Sequence, residues 1–378
     1  MKLALATTTD DPDNPQSWSG IPWHLAEALR EIEGVELVAL GPLGVPRRYP
    51  EAVRKAWYRL RGQRYIWWRE PRIIRIWSER MAAKLAAVDV DAVMVLGSVA
   101  SRCLPTGVRH VVFTDSTWDS NVDYYPTMTD VCARSRRFSE AVDRAAFTKA
   151  DHVVITSDWA KQSLVDHYGM GPDQVTVAPI GANTVCDLDA EALAARAAAR
   201  TDGPMRLFWI GVEWERKGGA VAVAAAAELH RRGVPVELHM AGVSPDIEPQ
   251  PWLHLHGFLN FTTDRARAEE IYLSSYMLML PTTAEDAGIV FAEAASFAVP
   301  SIAPGTGGVP TMVEDAVNGI LLREGASPDE YADALESLWN DPARYEALAA
   351  SSRARFEREL TWAHVAEVLV EQLQAIAR

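Results

Sequence analysis

Short, nearly continuous apolar runs recur along the chain, separated by stretches with helical spacing. In the first half they fall at residues 3–9, 35–41, 92–97, 110–115, 152–156 and 175–180. Continuous rather than alternating apolar runs mark parallel strands buried on both faces. Helices are predicted between them, for example over 22–32 and 134–149. The pattern predicts a doubly wound α/β domain over residues 1–183. The rhythm then lapses. Residues 184–204 are Ala-rich and acidic, end in Thr201-Asp202-Gly203-Pro204, and are predicted to form a linker with a short helix. It restarts at 205–211, 236–242, 253–257, 277–281, 300–304 and 320–323, predicting a second α/β domain over 205–361. From 328 onward the chain reads as helical, broken at Asp341-Pro342 and Thr361-Trp362. No internal repeat is visible, which excludes a solenoid. Two open-sheet domains in series predict a cleft between the carboxyl ends of their strands, where such sheets bind ligands.

The totals agree with this picture. The 378 residues suit two domains of ordinary size, and 48% hydrophobic content excludes a disordered chain. Cys103, Cys132 and Cys186 are odd in number and far apart, which fits a reduced, cytoplasmic setting and neither a disulfide frame nor a zinc site. The apolar run after Met1-Lys2 ends at Asp10-Asp11-Pro12, too soon for a signal peptide, and no run approaches the ~18 apolar residues of a membrane span.

Charge changes the picture locally. The net charge is −14, yet residues 46–84 hold twelve Lys/Arg against three acids, so this segment is +9 and the other 339 residues are −23. An acidic whole argues against nucleic acid as a partner. Trp57, Tyr58, Tyr65, Trp67, Trp68 and Trp77 interleave with the cations. Such a segment suits peripheral contact with an anionic membrane at its inner face, or an acidic or lipid-linked acceptor. Two solvated helices are the alternative left open.

Three loops carry candidate chemistry. The strongest runs from Pro281 through Glu285-Asp286-Ala287-Gly288-Ile289-Val290 to Glu293. A strand leads into it and a helix is predicted to begin near Gly288. The first amides of a helix lack intrahelical acceptors and suit a phosphate. Glu285 before the helix and Glu293 about a turn inside it can flank one ligand, and carboxylates accept hydrogen bonds from sugar hydroxyls. The second loop, Gly211-Val212-Glu213-Trp214-Glu215-Arg216-Lys217-Gly218-Gly219, sets two cations beside glycines, where they can reach a diphosphate. The third, Gly305-Thr306-Gly307-Gly308, lacks the spacing of a dinucleotide site. In the first domain, Gly20 precedes a predicted helix, and Asp115 and Ser157 stand at strand ends, Asp115 placed to orient or deprotonate a hydroxyl and Ser157 equally suited to capping a helix. His254-x-His256 puts two rings on one strand face without an evident third metal ligand. The GxSxG and Walker A motifs are absent.

Glu285 and Glu293 form an E-x7-E motif, and a Gly-x5-Lys-Gly turn (Gly211, Lys217, Gly218) lies about seventy residues upstream. This pattern resembles the retaining family-four glycosyltransferases, which have the GT-B fold of two facing Rossmann-like domains. The likeness covers most of the chain, and is more specific in the second domain. Ser116-Thr117-Trp118, Tyr124-Tyr125-Pro126 and Ser157-Asp158-Trp159-Ala160 resemble one subgroup. The resemblance implies transfer of a glycosyl group from a nucleotide sugar to an acceptor hydroxyl with retention, without a cofactor or essential metal. It implies that Glu293 binds the ribose, Glu285 the donor sugar, and the Gly288, Ile289 and Val290 amides the diphosphate. Lys217 would neutralise the leaving group with Arg216 beside it, and Gly20 would line the diphosphate from the other domain. The base would lie near His256, Gly257 and Phe258, and Trp118 and Ser157 would stand on the acceptor side. It also implies that residues 362–378 cross back to the first domain. The chain departs from the family where many members have Arg, here Val212; where Gly-Phe is common, here Asp286-Ala287; and where many carry His, here Asp115. A GT-B epimerase or a non-catalytic sugar-nucleotide-binding subunit are the alternatives.

Overall fold

The computed structural model describes residues 1–259 and 264–377. It contains two compact units, residues 1–179 with 362–378, and residues 180–361.

Unit 1 is built on a six-stranded parallel sheet: β1 (Lys2–Ala6), β2 (Glu36–Ala39), β3 (Ala92–Leu96), β4 (His110–Thr114), β5 (His152–Ile155) and β6 (Val175–Val177). The strands lie in the order β2-β1-β3-β4-β5-β6. Every residue of β3, β4 and β5 is buried, which is why these runs read as continuous rather than alternating. The topology reverses between β1 and β3, so the loop after β1 leaves from the switch point.

The segment Trp362–Ala377 is a helix of unit 1. Its Val365, Ala366, Leu369 and Leu373 are fully buried, as are Leu25 and Leu29 of the helix Ile21–Glu31 against which it packs. Trp362 lies 6.5 Å from the Phe113 ring of β4.

Unit 2 repeats the plan with β7 (Met205–Ile210), β8 (Val236–Ala241), β9 (Leu253–Leu255), β10 (Met277–Met279), β11 (Ser301–Pro304) and β12 (Gly319–Leu322). Its order, β12-β11-β10-β7-β8-β9, is parallel throughout, and the strand order reverses between β7 and β10.

The structure differs from the sequence reading in two places. Residues 184–204 are part of unit 2, not a linker. Arg200 is 5% exposed and its guanidinium donates to the carbonyls of Leu273, Phe297 and Ala298, while Thr184 and Cys186 are buried beside Ser296. A buried arginine held by three carbonyls fastens this stretch to the domain, a role its Ala-rich composition does not reveal. The aromatics of the basic segment also divide. Tyr65 and Trp77 are buried and Trp67 and Trp68 pack against the unit 1 core, so of the six only Trp57 is among the exposed large apolar residues. Tryptophan supplies the area that covers a sheet face, and Trp77 meets its one polar need by donating Nε1–H to the Gly44 carbonyl at 2.9 Å.

Candidate active site

The two loops singled out in unit 2 follow β7 and β10, the neighbouring strands that flank its switch point. They are stitched together. The Arg216 carbonyl accepts from the Thr283 N–H at 2.8 Å and the Thr282 hydroxyl at 3.1 Å. Trp209 Nε1–H donates to the Lys217 carbonyl at 2.9 Å. Gly218 has φ +67°, and a Cβ there would meet the Pro281 carbonyl oxygen at 1.9 Å, so the loops approach this closely only with glycine.

This contact aims both cations at one carboxylate. Lys217 Nζ donates to Glu285 Oε2, and Arg216 Nη1 lies 3.2 Å from the same oxygen while donating to the Ala284 carbonyl at 2.8 Å. All three side chains are at most 10% exposed. Arg216 Nε also donates to Glu213 at 2.5 Å. Val212 is 64% exposed, and the cations of this loop are Arg216 and Lys217. The third glycine-rich loop is a brace: the Gly308 N–H donates to the Glu285 carbonyl at 2.9 Å.

Glu285 is followed by a left-handed turn at Gly288 (φ +85°) and the helix Ile289–Ser296. A Cβ at Gly288 would meet the Phe291 ring at 2.7 Å and the Glu285 side chain at 3.1 Å. The helix thus begins beside Glu285 and its two cations, with the Ile289 and Val290 amides at its first turn. Glu293 lies on its buried face, 4% exposed, where Tyr272 Oη–H donates to its Oε2 at 3.1 Å. Burial pushes its pKa from 4.5 up to about 7, and hydrogen bonds from Tyr272 and Thr184 only partly restrain the rise.

Two strands along the sheet from β7, His256 stands after β9. Arg267 donates to its Nδ1 at 3.1 Å, which fixes the proton on Nε2; that N–H donates to His239 Nδ1 at 3.0 Å. His239 Nε2–H then faces Glu237 at 3.4 Å, and Arg206 pairs with the same carboxylate at 3.0 Å. Burial holds the His256 pKa down to about 4, so the ring is neutral in this relay. Gly257 turns with φ +70°, and Phe258 is 69% exposed. The sequence reading found no third ligand near His254-x-His256, whereas the β8–β9 register sets His239 opposite His254 with Glu237 close by. The His239 and His254 rings are stacked at 4.7 Å and 27°, however. Both nitrogens of His239 are engaged in the relay, Nδ1 by His256 and Nε2 by Glu237.

In unit 1, Gly20 is buried with φ +81° and caps the helix Ile21–Glu31 at the switch point, after Trp18 (φ +40°) and Ser19 (φ +55°). Two non-glycine residues in the left-handed region are costly and tend to mark functional turns. Asp115 follows β4, half-buried, with the Ser116 hydroxyl donating to its Oδ1 at 3.1 Å. The two residues that the resemblance puts on the acceptor side are both buried. Ser157 is wholly buried and accepts from the Ala160 N–H, capping the next helix, and Trp118 is 5% exposed and packs with Ile66 and Val131. A hollow of about 430 Å³ in unit 1, lined by Asp89–Val93, Val108 and Ile376, lies at the amino end of its strands, opposite Gly20 and Asp115.

Tyr272, Thr184, Thr282 and Trp209 are the supporting residues that the sequence did not reveal. Their partners lie 8 to 109 positions away, as with Trp209 to Lys217 and Thr184 to Glu293, and no local spacing announces them.

A family model described as Glycosyltransferase Family 4 matches residues 23–185, and one described as Glycosyl transferases group 1 matches residues 204–341. Among curated proteins, the D-inositol 3-phosphate glycosyltransferase of Rhodococcus opacus is 29% identical over 243 residues, covering 61% of this chain and 54% of that protein. The chain thus spans about half the length of such relatives. Among solved structures, sucrose-phosphate synthase from Thermosynechococcus elongatus superposes with a TM-score of 0.72 at 17% identity, over 100% of this chain and 99% of that one. Anabaena HepE, solved in complex with UDP, gives 0.63 at 13% identity over 99% and 100%. With one glycosyltransferase model on each unit and a whole-chain likeness to GT-B structures, the chain belongs to the family-four, group 1 glycosyltransferases of the GT-B fold.

Proposed function

We propose that this protein moves a glycosyl group from a nucleoside diphosphate sugar to an acceptor hydroxyl, with retention at the anomeric carbon and without an essential metal. The observation that carries the reading is the pair Arg216 and Lys217, gathered on Glu285 at the head of the Ile289–Ser296 helix. Two cations and a helix start can stabilise a departing diphosphate, the task a metal performs elsewhere. The bond from the anomeric carbon to the diphosphate oxygen breaks. The acceptor oxygen bonds to that carbon on the same face, and its proton passes to the leaving phosphate oxygen. Glu285 would hold sugar hydroxyls, Glu293 the ribose, and the exposed Phe258 ring offers a stacking face for the base. Asp115 would orient the acceptor, whose handling falls to unit 1. The UDP bound by Anabaena HepE makes UDP-sugars the first donors to try.

The test is nucleotide binding followed by turnover. UDP, GDP or ADP is expected to raise the melting temperature of the purified protein, and the matching nucleotide sugar to be slowly hydrolysed. Lys217→Ala is expected to cut that turnover by 10²-fold or more, on the order of the loss when one transition-state charge partner is removed. A protein that no nucleoside diphosphate stabilises would overturn the reading.

A further inference from the structure

The helix Tyr49–Arg59 is built inside out. Its inward residues are Glu51, 1% exposed, with the half-buried Arg54 and Tyr58. Glu51 is satisfied there by Arg72 at 3.3 Å and Arg54 at 4.0 Å. Its outward residues are apolar. Tyr49 is 82% exposed, Val53 56%, Trp57 45%, and Leu60, just past the end, 88%. At 3.6 residues per turn these four share one stripe about 80° wide. With Val45 they make five of the eight exposed large apolar residues recorded among the described residues. A contiguous apolar stripe in water marks a surface that something covers.

Charge says what covers it. Half the cations of the segment are occupied: Arg54, Arg69, Arg72 and Arg75 pair with carboxylates, and Arg80 and Lys84 donate to carbonyls. The other half, Arg47, Arg48, Lys55, Arg59, Arg61 and Arg64, form no ion pair among the described residues, and all six are exposed. Lys55 and Arg59 run along one flank of the stripe, while the Arg48 guanidinium lies 4.3 Å over the Trp67 ring and that of Arg61 3.5 Å over the Trp57 ring. A second copy meeting this face by two-fold symmetry would set these cations against their own likeness. A nucleic-acid backbone has no use for Val53 and Leu60. An anionic bilayer answers both features at once: rings and branched chains enter the headgroup–acyl boundary while Lys and Arg heads stay with the lipid phosphates.

We propose that the Tyr49–Arg59 helix lies in the surface of an anionic membrane, with Tyr49, Val53, Trp57 and Leu60 embedded and the unpaired cations on lipid phosphates. This stands apart from glycosyl transfer, and its test reads no sugar chemistry. The purified full-length protein is floated with phosphatidylcholine vesicles, with and without phosphatidylglycerol. It is expected to float only with the anionic vesicles and to be released by high salt. The double variants Val53→Asp with Leu60→Asp, and Lys55→Glu with Arg59→Glu, are each expected to lower the partition by about ten-fold or more. Their melting temperatures should match the wild type, because these side chains lie outside the core. Should the aspartates perturb folding, Val53→Ser with Leu60→Ser carries the same expectation. Lys217→Ala should float like the wild type, which separates failure here from failure of the transfer reaction. The proposal is overturned if the wild type ignores anionic vesicles, if the variants float equally well, or if sedimentation shows a dimer that Val53→Asp with Leu60→Asp dissolves.

Discussion

Glu293 is a glutamate whose surroundings favour its proton. Its pKa, raised to about 7 by burial, lies above that of the same group in an unfolded chain. Between about pH 4.5 and 7 the native protein therefore holds a proton that the unfolded chain has lost, and stability falls as pH rises through this window. Glu293→Gln keeps a neutral group in place and should remove that fall. The variant is expected to gain on the order of 3 kcal/mol over wild type between about pH 5 and 8 in urea unfolding. Parallel pH profiles for the two proteins would refute it. On the proposed function the carboxylate, not the acid, accepts both ribose hydroxyls, so nucleotide affinity should improve as pH rises through 7. A residue kept at a cost to stability above neutral pH is one whose charge is wanted when ligand arrives. The sequence made Glu293 visible by its spacing from Glu285. It could not make visible the Tyr272 hydroxyl and the burial that set its charge.

At the scale of elements, each of the twelve apolar runs became a strand, and the central ones were plainest, because a parallel strand covered on both faces leaves a continuous apolar signature that needs no partner to be recognised; the edge strands β2 and β9, with no fully buried residue, do not owe their runs to that. Helices whose stripe meets the core were equally legible. The Tyr49–Arg59 helix was not, since periodicity says that one face differs from the other but not which face turns inward. The buried Glu51, fixed by Arg72 from the following helix, decides that orientation, and the sequence holds no sign of the pairing. The loops after β7 and β10 were found by their glycines, and Gly218 explains why they can touch. Gly218→Ala adds a Cβ 1.9 Å from the Pro281 carbonyl oxygen as well as a left-handed backbone. Gly233→Ala adds the same backbone strain, φ +83°, with nothing within 4 Å. The control should lose only about 1–2 kcal/mol. Gly218→Ala should lose clearly more and take nucleotide binding with it, and equal losses in both would show that the loop contact is unimportant.

For the whole molecule, the dependence of unit 1 on its final helix can be measured. A chain ending at Thr361 keeps all of unit 2 but lacks the helix that covers Leu25 and Leu29. Calorimetry of this truncation is expected to retain the unfolding transition of unit 2 while that of unit 1 weakens or disappears. Loss of both together would mean the units do not fold separately.

The same helix has a consequence during synthesis. Unit 1 begins first on the ribosome and is completed last, because its closing helix follows about 180 residues that belong to unit 2. At 5–20 residues per second the first sheet waits roughly 10–40 s with the apolar flank of Ile21–Glu31 uncovered. During that interval the nascent chain offers a chaperone a client surface at Leu25 and Leu29, which vanishes when Trp362 and the residues after it arrive.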